Sequence, residues 1–459
     1  MKKIKTIATM GIIAVLYVSG CVSEKSQTDL VRYNRSCSVV ENGVAVSETI
    51  PDVPRLPELT AKSGLSDYLG YAALNNPGLE AAFNRFKAAV DQVPQVKSLP
   101  DPRFNYKYFI EEVETRVGPQ QQSLGISQLF PWFGKLELRG NIAAQAANAA
   151  RQRYEAAKLK LFFEVKDAYY EYYYLTKSIA ITKENVSLIK HLESVAQSRY
   201  KAAAGTHPDV IRAQVEMGKL EDRYRTLLDF QQPIVARLNS ALNRPIEADI
   251  PSPTEIKFDE VNLADKELLA KLITENPELK ALDFEIAQNK KSIELAKKDY
   301  YPDFTLGLNV IDTDDSPVGN PSSNGNDPVI ASVSVNIPLW REKYAAGVRQ
   351  ARSRYYAARG QRRQKANSLS SQLKMTLYSF RDAERKIDLY RDALLPKAKE
   401  SLKVTESGFR AAKGSFTDII DAQRILLEFA LLYERALADR SQSLAKLEML
   451  VGREIRRKE

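Results

Sequence analysis

Two cysteines and two histidines in 459 residues leave little with which to build a redox centre, a metal site or a nucleophile–base pair. Neither His191 nor His207 has a partner at ligand spacing, no cysteine pair sits at zinc spacing, and no glycine-rich phosphate loop occurs. The reading is therefore a non-enzyme with no metal site and no cofactor. Long apolar runs are equally scarce. The clear one is Met10 to Val18, which follows Lys2, Lys3 and Lys5 and meets no acid before Glu24; that is a secretory signal, too short for a membrane span. Basic clusters interleaved with aromatics are missing too, so the 27% of charged residues read as solvated helix faces and nucleic acid is excluded as a partner.

The signal ends Val18-Ser19-Gly20-Cys21, which resembles the bacterial lipobox, where cleavage before the cysteine leaves it to carry lipid. Each buried acyl methylene contributes ~0.8 kcal/mol, so several chains on Cys21 make a lasting anchor. Position 22 is Val, not the Asp of inner-membrane retention, and this favours sorting to the outer membrane. Cleavage removes three lysines and no acid, taking the formal charge from +9 to +6. Cys37 is then the only thiol left, so no intramolecular disulfide forms and the fold must hold by packing.

What is present in abundance is repetition. Asn76-Pro77-Gly78-Leu79 returns as Asn276-Pro277-Glu278-Leu279, and Leu99-Pro100-Asp101 as Tyr301-Pro302-Asp303. The stretch from Tyr200 to Gln214 aligns without gaps on Phe409 to Gln423. After the signal (1–20) and an N-terminal extension (21–65), the chain divides into repeats at 66–259 and 260–452, followed by a basic tail at 453–459. Each repeat runs helix, two alternating segments, very long helix, tight turn, shorter helix.

The alternating segments are expected at about 103–112, 122–130, 303–311 and 328–338. Phe104, Tyr106, Tyr108 and Ile110 alternate with mostly polar neighbours, as do Val329, Ala331, Val333 and Val335. Apolar-out, polar-in segments of this length fit tilted strands crossing a bilayer. A soluble half-buried sheet gives the same alternation, but the outer-membrane address and Trp132, Phe133 and Trp340 just past the strands fit an interfacial girdle. Four strands cannot close a barrel, and open edges in hydrocarbon cost several kcal/mol per unpaired group. Several chains must share one barrel, and three supply the twelve strands that a duct requires.

From Gly134 to Ala204 there is no proline, so roughly 70 residues can run as one helix of about 105 Å. Leu161, Val165, Ala168, Tyr172, Leu175 and Ile179 keep coiled-coil spacing, and Leu373, Leu377, Phe380 and Ile387 repeat it in the second half, where Pro396 predicts a kink.

The run Gly408-Phe-Arg-Ala-Ala-Lys-Gly-Ser-Phe-Thr-Asp-Ile-Ile-Asp-Ala-Gln423 resembles the helix-tip signature of TolC-like outer-membrane factors. Gln128-Leu-Phe-Pro-Trp-Phe-Gly-Lys135 is similar to the strand-to-helix corner of that family's cobalt-zinc-cadmium efflux branch. The resemblance implies a mainly α fold with a membrane β-barrel: a homotrimer with a twelve-stranded outer-membrane barrel and a periplasmic α-barrel of coiled-coil helices. It also implies a tip that docks to a periplasmic adaptor and an inner-membrane pump. Two departures stand out. The family's glycine is Ala412 here, and its usual second-half tyrosine is Phe409, so only Tyr200 keeps a hydroxyl for a latch.

Tip turns are expected at about 204–208 and 412–416. Thr206 with Asp209, and Ser415 with Asp418, fit capping boxes. Asp421 has no capping role, and its repeat counterpart is Arg212, opposite in charge. Repeated by threefold symmetry, Asp421 and Asp418 would ring the narrow end as a gate or selectivity site. The expected function is a passive exit duct of a tripartite efflux system, with a type I protein secretion duct or a non-conducting coiled-coil lipoprotein as the alternatives. For the anchor, Cys21→Ala should abolish incorporation of labelled palmitate and slow maturation; unchanged labelling would refute lipidation at this residue.

Overall fold

The computed structural model describes residues 59, 60, 63–253, 261, 264–319, 321–411 and 413–455. Cys21, Cys37, Asn320, Ala412 and the end of the basic tail lie outside the described residues.

Each repeat begins with a helix pair: α1 (Leu65–Asn75) and α2 (Pro77–Lys97) in the first, α5 (Asp265–Glu275) and α6 (Pro277–Lys298) in the second. The duplicated Asn-Pro motif makes the break between the members of each pair. Proline at the first helical position needs no N–H partner there and presets φ. The preceding asparagine caps the new helix: Asn76 Oδ1 accepts from Leu79 N, and Asn276 Oδ1 from Glu278 and Leu279 N. The same two side chains reach out of the pair, Asn76 Nδ2 donating to the Ala241 carbonyl at 3.0 Å and Asn276 Nδ2 to the Leu450 carbonyl at 2.9 Å. Each repeat is thereby closed at its base onto its own returning helix.

The long helices are α3 (Lys135–Lys201) and α4 (His207–Leu242) in the first repeat, and α7 (Arg341–Asp388), α8 (Leu395–Arg410) and α9 (Phe416–Val451) in the second. With 67 residues and no proline, α3 is the spine, packing on α2, α4, α6 and α9. Its expected seam is buried: Leu161, Val165, Ala168, Tyr172 and Leu175 join Tyr68, Leu238 and Leu242 in one apolar cluster. Leu373, Leu377 and Phe380 join Leu272, Leu279 and Leu447 in its second-repeat equivalent. Pro396 does not break the second spine. A six-residue π turn, Leu389–Leu394, precedes it and carries α7 into α8; widening the turn relieves the clash of the proline ring with the carbonyl four residues back. Between α3 and α9 a buried ion pair, Lys166 Nζ to Glu448 Oε2 at 2.6 Å, crosses from one repeat to the other.

The strands are β1 (Arg103–Val113), β2 (Gln120–Phe130), β3 (Phe304–Thr313) and β4 (Val329–Val335), one antiparallel sheet in the order β1-β2-β3-β4. The last strand ends three residues before the expected 338, because Pro338 donates no ladder bond and the chain is already turning at Ile337. Apolar residues align across all four strands: Phe104 opposite Ile126, Ile126 opposite Leu308, Leu308 opposite Ala331. Nothing among the described residues covers that face, and Phe104 and Val333 are each 70% exposed. The other face is polar and close-packed: a Cβ on Gly125 would collide with the Asn309 amide, and one on Gly307 with the Ser332 hydroxyl. No helix among the described residues is long and apolar enough to cross a membrane.

Lys166→Met leaves Glu448 buried without its partner and should destabilise the protein by about 3–5 kcal/mol, whereas Lys166→Met with Glu448→Met should recover most of the loss. Thermal denaturation of the detergent-solubilised variants checks this; equal losses in the single and double variants would contradict it.

Candidate functional site

At the end of the long helices away from the sheet, the two helix-turn-helix tips lie side by side on a shared apolar cluster that includes Ile189, Leu192, Val210, Phe416 and Ile420. The first tip turns through Ala203, in left-handed conformation at φ 54, and Gly205, where a Cβ would press on Arg199. The Asp209 carboxylate accepts from Thr206 N at 3.3 Å and Thr206 Oγ1 at 2.7 Å. In the second tip, Ser415 and Asp418 exchange bonds, Asp418 N donating to Ser415 Oγ at 3.2 Å and Ser415 N to Asp418 Oδ2 at 3.1 Å. Both exchanges satisfy amides that a helix start leaves without partners.

The aromatic positions differ in environment. The Tyr200 ring lies 5.3 Å from His207 on the surface, while Phe409 packs at 5.7 Å against buried Phe416. Within the chain, the Tyr200 hydroxyl meets no hydrogen-bond partner among the described residues. Asp421 and Arg212 occupy equivalent places but do not pair. Arg212 Nη1 donates to Thr417 Oγ1, joining the two tips. Asp421 instead meets Arg424 one turn on, at 3.2 Å. Arg424 is shared with Glu216 of α4, whose carboxylate is buried; this hydrogen bond first, and Asp421 after it, push the guanidinium above its ordinary value. Asp418 and Asp421 both stay exposed on one face of α9.

Two residues that hold the tips together were not singled out from the sequence. Arg199 lies 4.2 Å over the Phe409 ring, donates to the Phe409 carbonyl at 3.0 Å, and reaches the Ala204 carbonyl from two further nitrogens at 3.3 Å. One guanidinium thus serves carbonyls at both helix ends. Its counterpart in the aligned repeat is Gly408, and that mismatch is the signal which marks it. Gln423, last residue of the tip motif, is buried and donates to Asn185 Oδ1, whereas its counterpart Gln214 reaches Glu193 on the surface. Near it, Ser178 Oγ, Thr182 Oγ1 and Gln423 Oε1 are buried polar atoms without a hydrogen-bond partner among the described residues, a polar patch beside the apolar cluster that α3 and α9 share. No group of three or more His, Cys, Asp or Glu among the described residues is placed to hold a metal.

At the opposite end of α3, Gly134 takes φ 81 and lets the chain turn from strand into helix. Lys135 is buried there, donating to Asp303 at 2.8 Å and to the Tyr301 carbonyl at 3.1 Å, while Trp132 N donates to the same Asp303 carboxylate at 2.7 Å. The duplicated Pro-Asp motif thus locks the second repeat to the corner of the first.

A family model described as outer membrane efflux protein matches residues 69–244 and 268–453. The cobalt-zinc-cadmium resistance protein CzcC of Cupriavidus metallidurans is 24% identical over 439 residues, covering 89% of this chain and 95% of that protein. Among solved structures, VceC of Vibrio cholerae has a TM-score of 0.71 at 16% identity, over 85% of this chain and 97% of that one. The CmeC outer membrane channel of Campylobacter jejuni has a TM-score of 0.72 at 14% identity, over 88% and 90%. At such identities the structural likeness speaks for the fold alone. The family match spans both repeats and most of the chain, and the protein belongs to the outer membrane efflux protein family, the TolC-like channels, which are not enzymes.

Proposed function

We propose that the protein is the outer-membrane duct of a tripartite efflux system, three copies sharing one twelve-stranded barrel above a tunnel of periplasmic helices. The observation that carries this is the sheet: among the described residues nothing covers its apolar face, and β1 and β4 each present one edge without a partner. In hydrocarbon such edges must pair, and β4 of one copy with β1 of the next closes the ring. A lipidated Cys21 adds an anchor to the same membrane. The tip docks to a periplasmic adaptor and an inner-membrane pump, and the pump selects the cargo. The likeness to CzcC favours metal ions over drugs, and a protein secretion duct is the less favoured reading.

Single-channel recording tests the duct. Purified protein should be a trimer by light scattering and should conduct in planar bilayers, and Val333→Pro should abolish both properties together; a monodisperse, non-conducting monomer would reject the reading in favour of a structural coiled-coil lipoprotein.

At the tip, Asp418 holds the start of α9 and Asp421 supplies exposed charge, repeated by three around the constriction. Tyr200, with its hydroxyl available to a neighbouring copy, and Arg212 and Phe409, already engaged across the tips, form the latch around it. Asp421→Asn should weaken cation preference and block by multivalent cations with little change in stability, because Arg424 keeps Glu216. Asp418→Asn should instead cost about 0.5–2 kcal/mol of local helix stability. Reversal potentials decide: an Asp421→Asn channel unchanged in selectivity and conductance would remove the residue from the gate.

A further inference from the structure

A cavity of about 520 Å³ opens between the first turns of α3 and the last turns of α6, just where the sheet gives way to helix. Tyr301 forms one lip. Its ring stacks on Trp132 at 5.1 Å, and Trp132 stacks on Phe304 at 5.4 Å. Phe304 belongs to the apolar face of the sheet, so a row of stacked rings joins the lip of the cavity to that face. Around the same level Phe133, Ile337 and Trp340 are 77%, 73% and 76% exposed, a rim of large apolar side chains that no described residue covers.

The charges lining the cavity are unequal. Lys291 and Glu294 neutralise each other at 3.0 Å. Lys297 and Lys298 make no ion pair among the described residues; the Lys298 ammonium lies 5.8 Å from the Tyr301 ring. The remaining acid is Glu137. Gly134 forms the floor, and Lys298 Nζ lies 3.8 Å from where a Cβ would stand there. The opposite end of the sheet has the reverse sign: residues 111–121 and 312–328 hold seven acids and one arginine. Two lysines at a helix C-terminus are also favoured by the helix dipole. That explains their place in the sequence, but not a cavity with an aromatic lip beside a bare apolar rim.

We propose that this cavity binds the phosphate headgroup of an anionic phospholipid in the leaflet on the helix side of the barrel. Lys297, Lys298 and the Tyr301 hydroxyl are the donors, and Trp132 and Phe133 pack on the start of the acyl chains. Aromatic belts sit at headgroup depth, which sets the two ammoniums at the height of lipid phosphates, and basic pockets of this kind on membrane proteins take anionic headgroups. Free phosphate would gain the charge but nothing from the rim. The assignment rests on the barrel reading above.

Native mass spectrometry of the purified protein in detergent, titrated with dioleoyl phosphatidylglycerol or dioleoyl phosphatidylcholine, tests it. The wild type should retain phosphatidylglycerol in preference. Lys297→Gln with Lys298→Gln should lower that retention about thirtyfold, the factor that two surface lysines contribute to anionic-lipid binding. Glu137→Gln should raise it, and Lys399→Gln with Lys403→Gln, on α8 far from the sheet, should leave it unchanged. Equal retention of both lipids, indifference to the Lys297 and Lys298 changes, or displacement of the lipid by millimolar inorganic phosphate would overturn the site. Insertion into liposomes of either lipid is scored separately: failure to insert overturns the barrel and the lipid site together, whereas insertion without lipid preference overturns the lipid site alone.

Discussion

A strand in hydrocarbon must give every backbone N–H and C=O a partner, since no water is there to take its place. Most of this molecule follows from that demand. The ladder from β2 to β3 supplies partners at the centre of the sheet and ties together strands that lie far apart in the sequence, one from each repeat. Two structurally equivalent halves are therefore needed for even one such junction. The helices below inherit the spacing: α3 and α7 lead away from the second and fourth strands, α6 packs on both, and the apolar clusters form where the seams meet.

Much of this was readable in the residues, because it depends on local pattern. The period-two segments, the proline-free spine and the two Ser/Thr-to-Asp capping pairs each need only neighbours within a few positions. Tertiary partners of long side chains were not readable in the same way. Asp421 and Arg212 align between the repeats, yet each turns elsewhere, to Arg424 and to Thr417. Equivalent places in a duplicated sequence share a fold position without sharing a contact. Arg199 was hidden for the converse reason: it bonds across the tips, and its own repeat gives no second example. The π turn before Pro396 shows a further limit, since sequence marks where a helix is disturbed but not whether it breaks or widens.

The two ends of the spine are also held by different chemistry. At the sheet end, a buried lysine, a shared carboxylate and stacked rings fix the corner from several directions. At the tip, a shared apolar cluster is joined by arginine to carbonyl, arginine to hydroxyl and an amide pair.

The amide clamps at the base of each repeat bear on how the chain is made. Asn76 binds the carbonyl of Ala241, so the first repeat closes on itself using residues that all precede the second. A nascent chain can then complete its leading half while the trailing half is still being synthesised or exported. That half carries the β1–β2 hairpin with neither outer edge occupied and its apolar face bare, a species prone to adhere to its own kind until β3 arrives. Biogenesis of a duplicated channel of this design therefore passes through an interval of exposure whose length is set by the 173 residues separating β2 from β3.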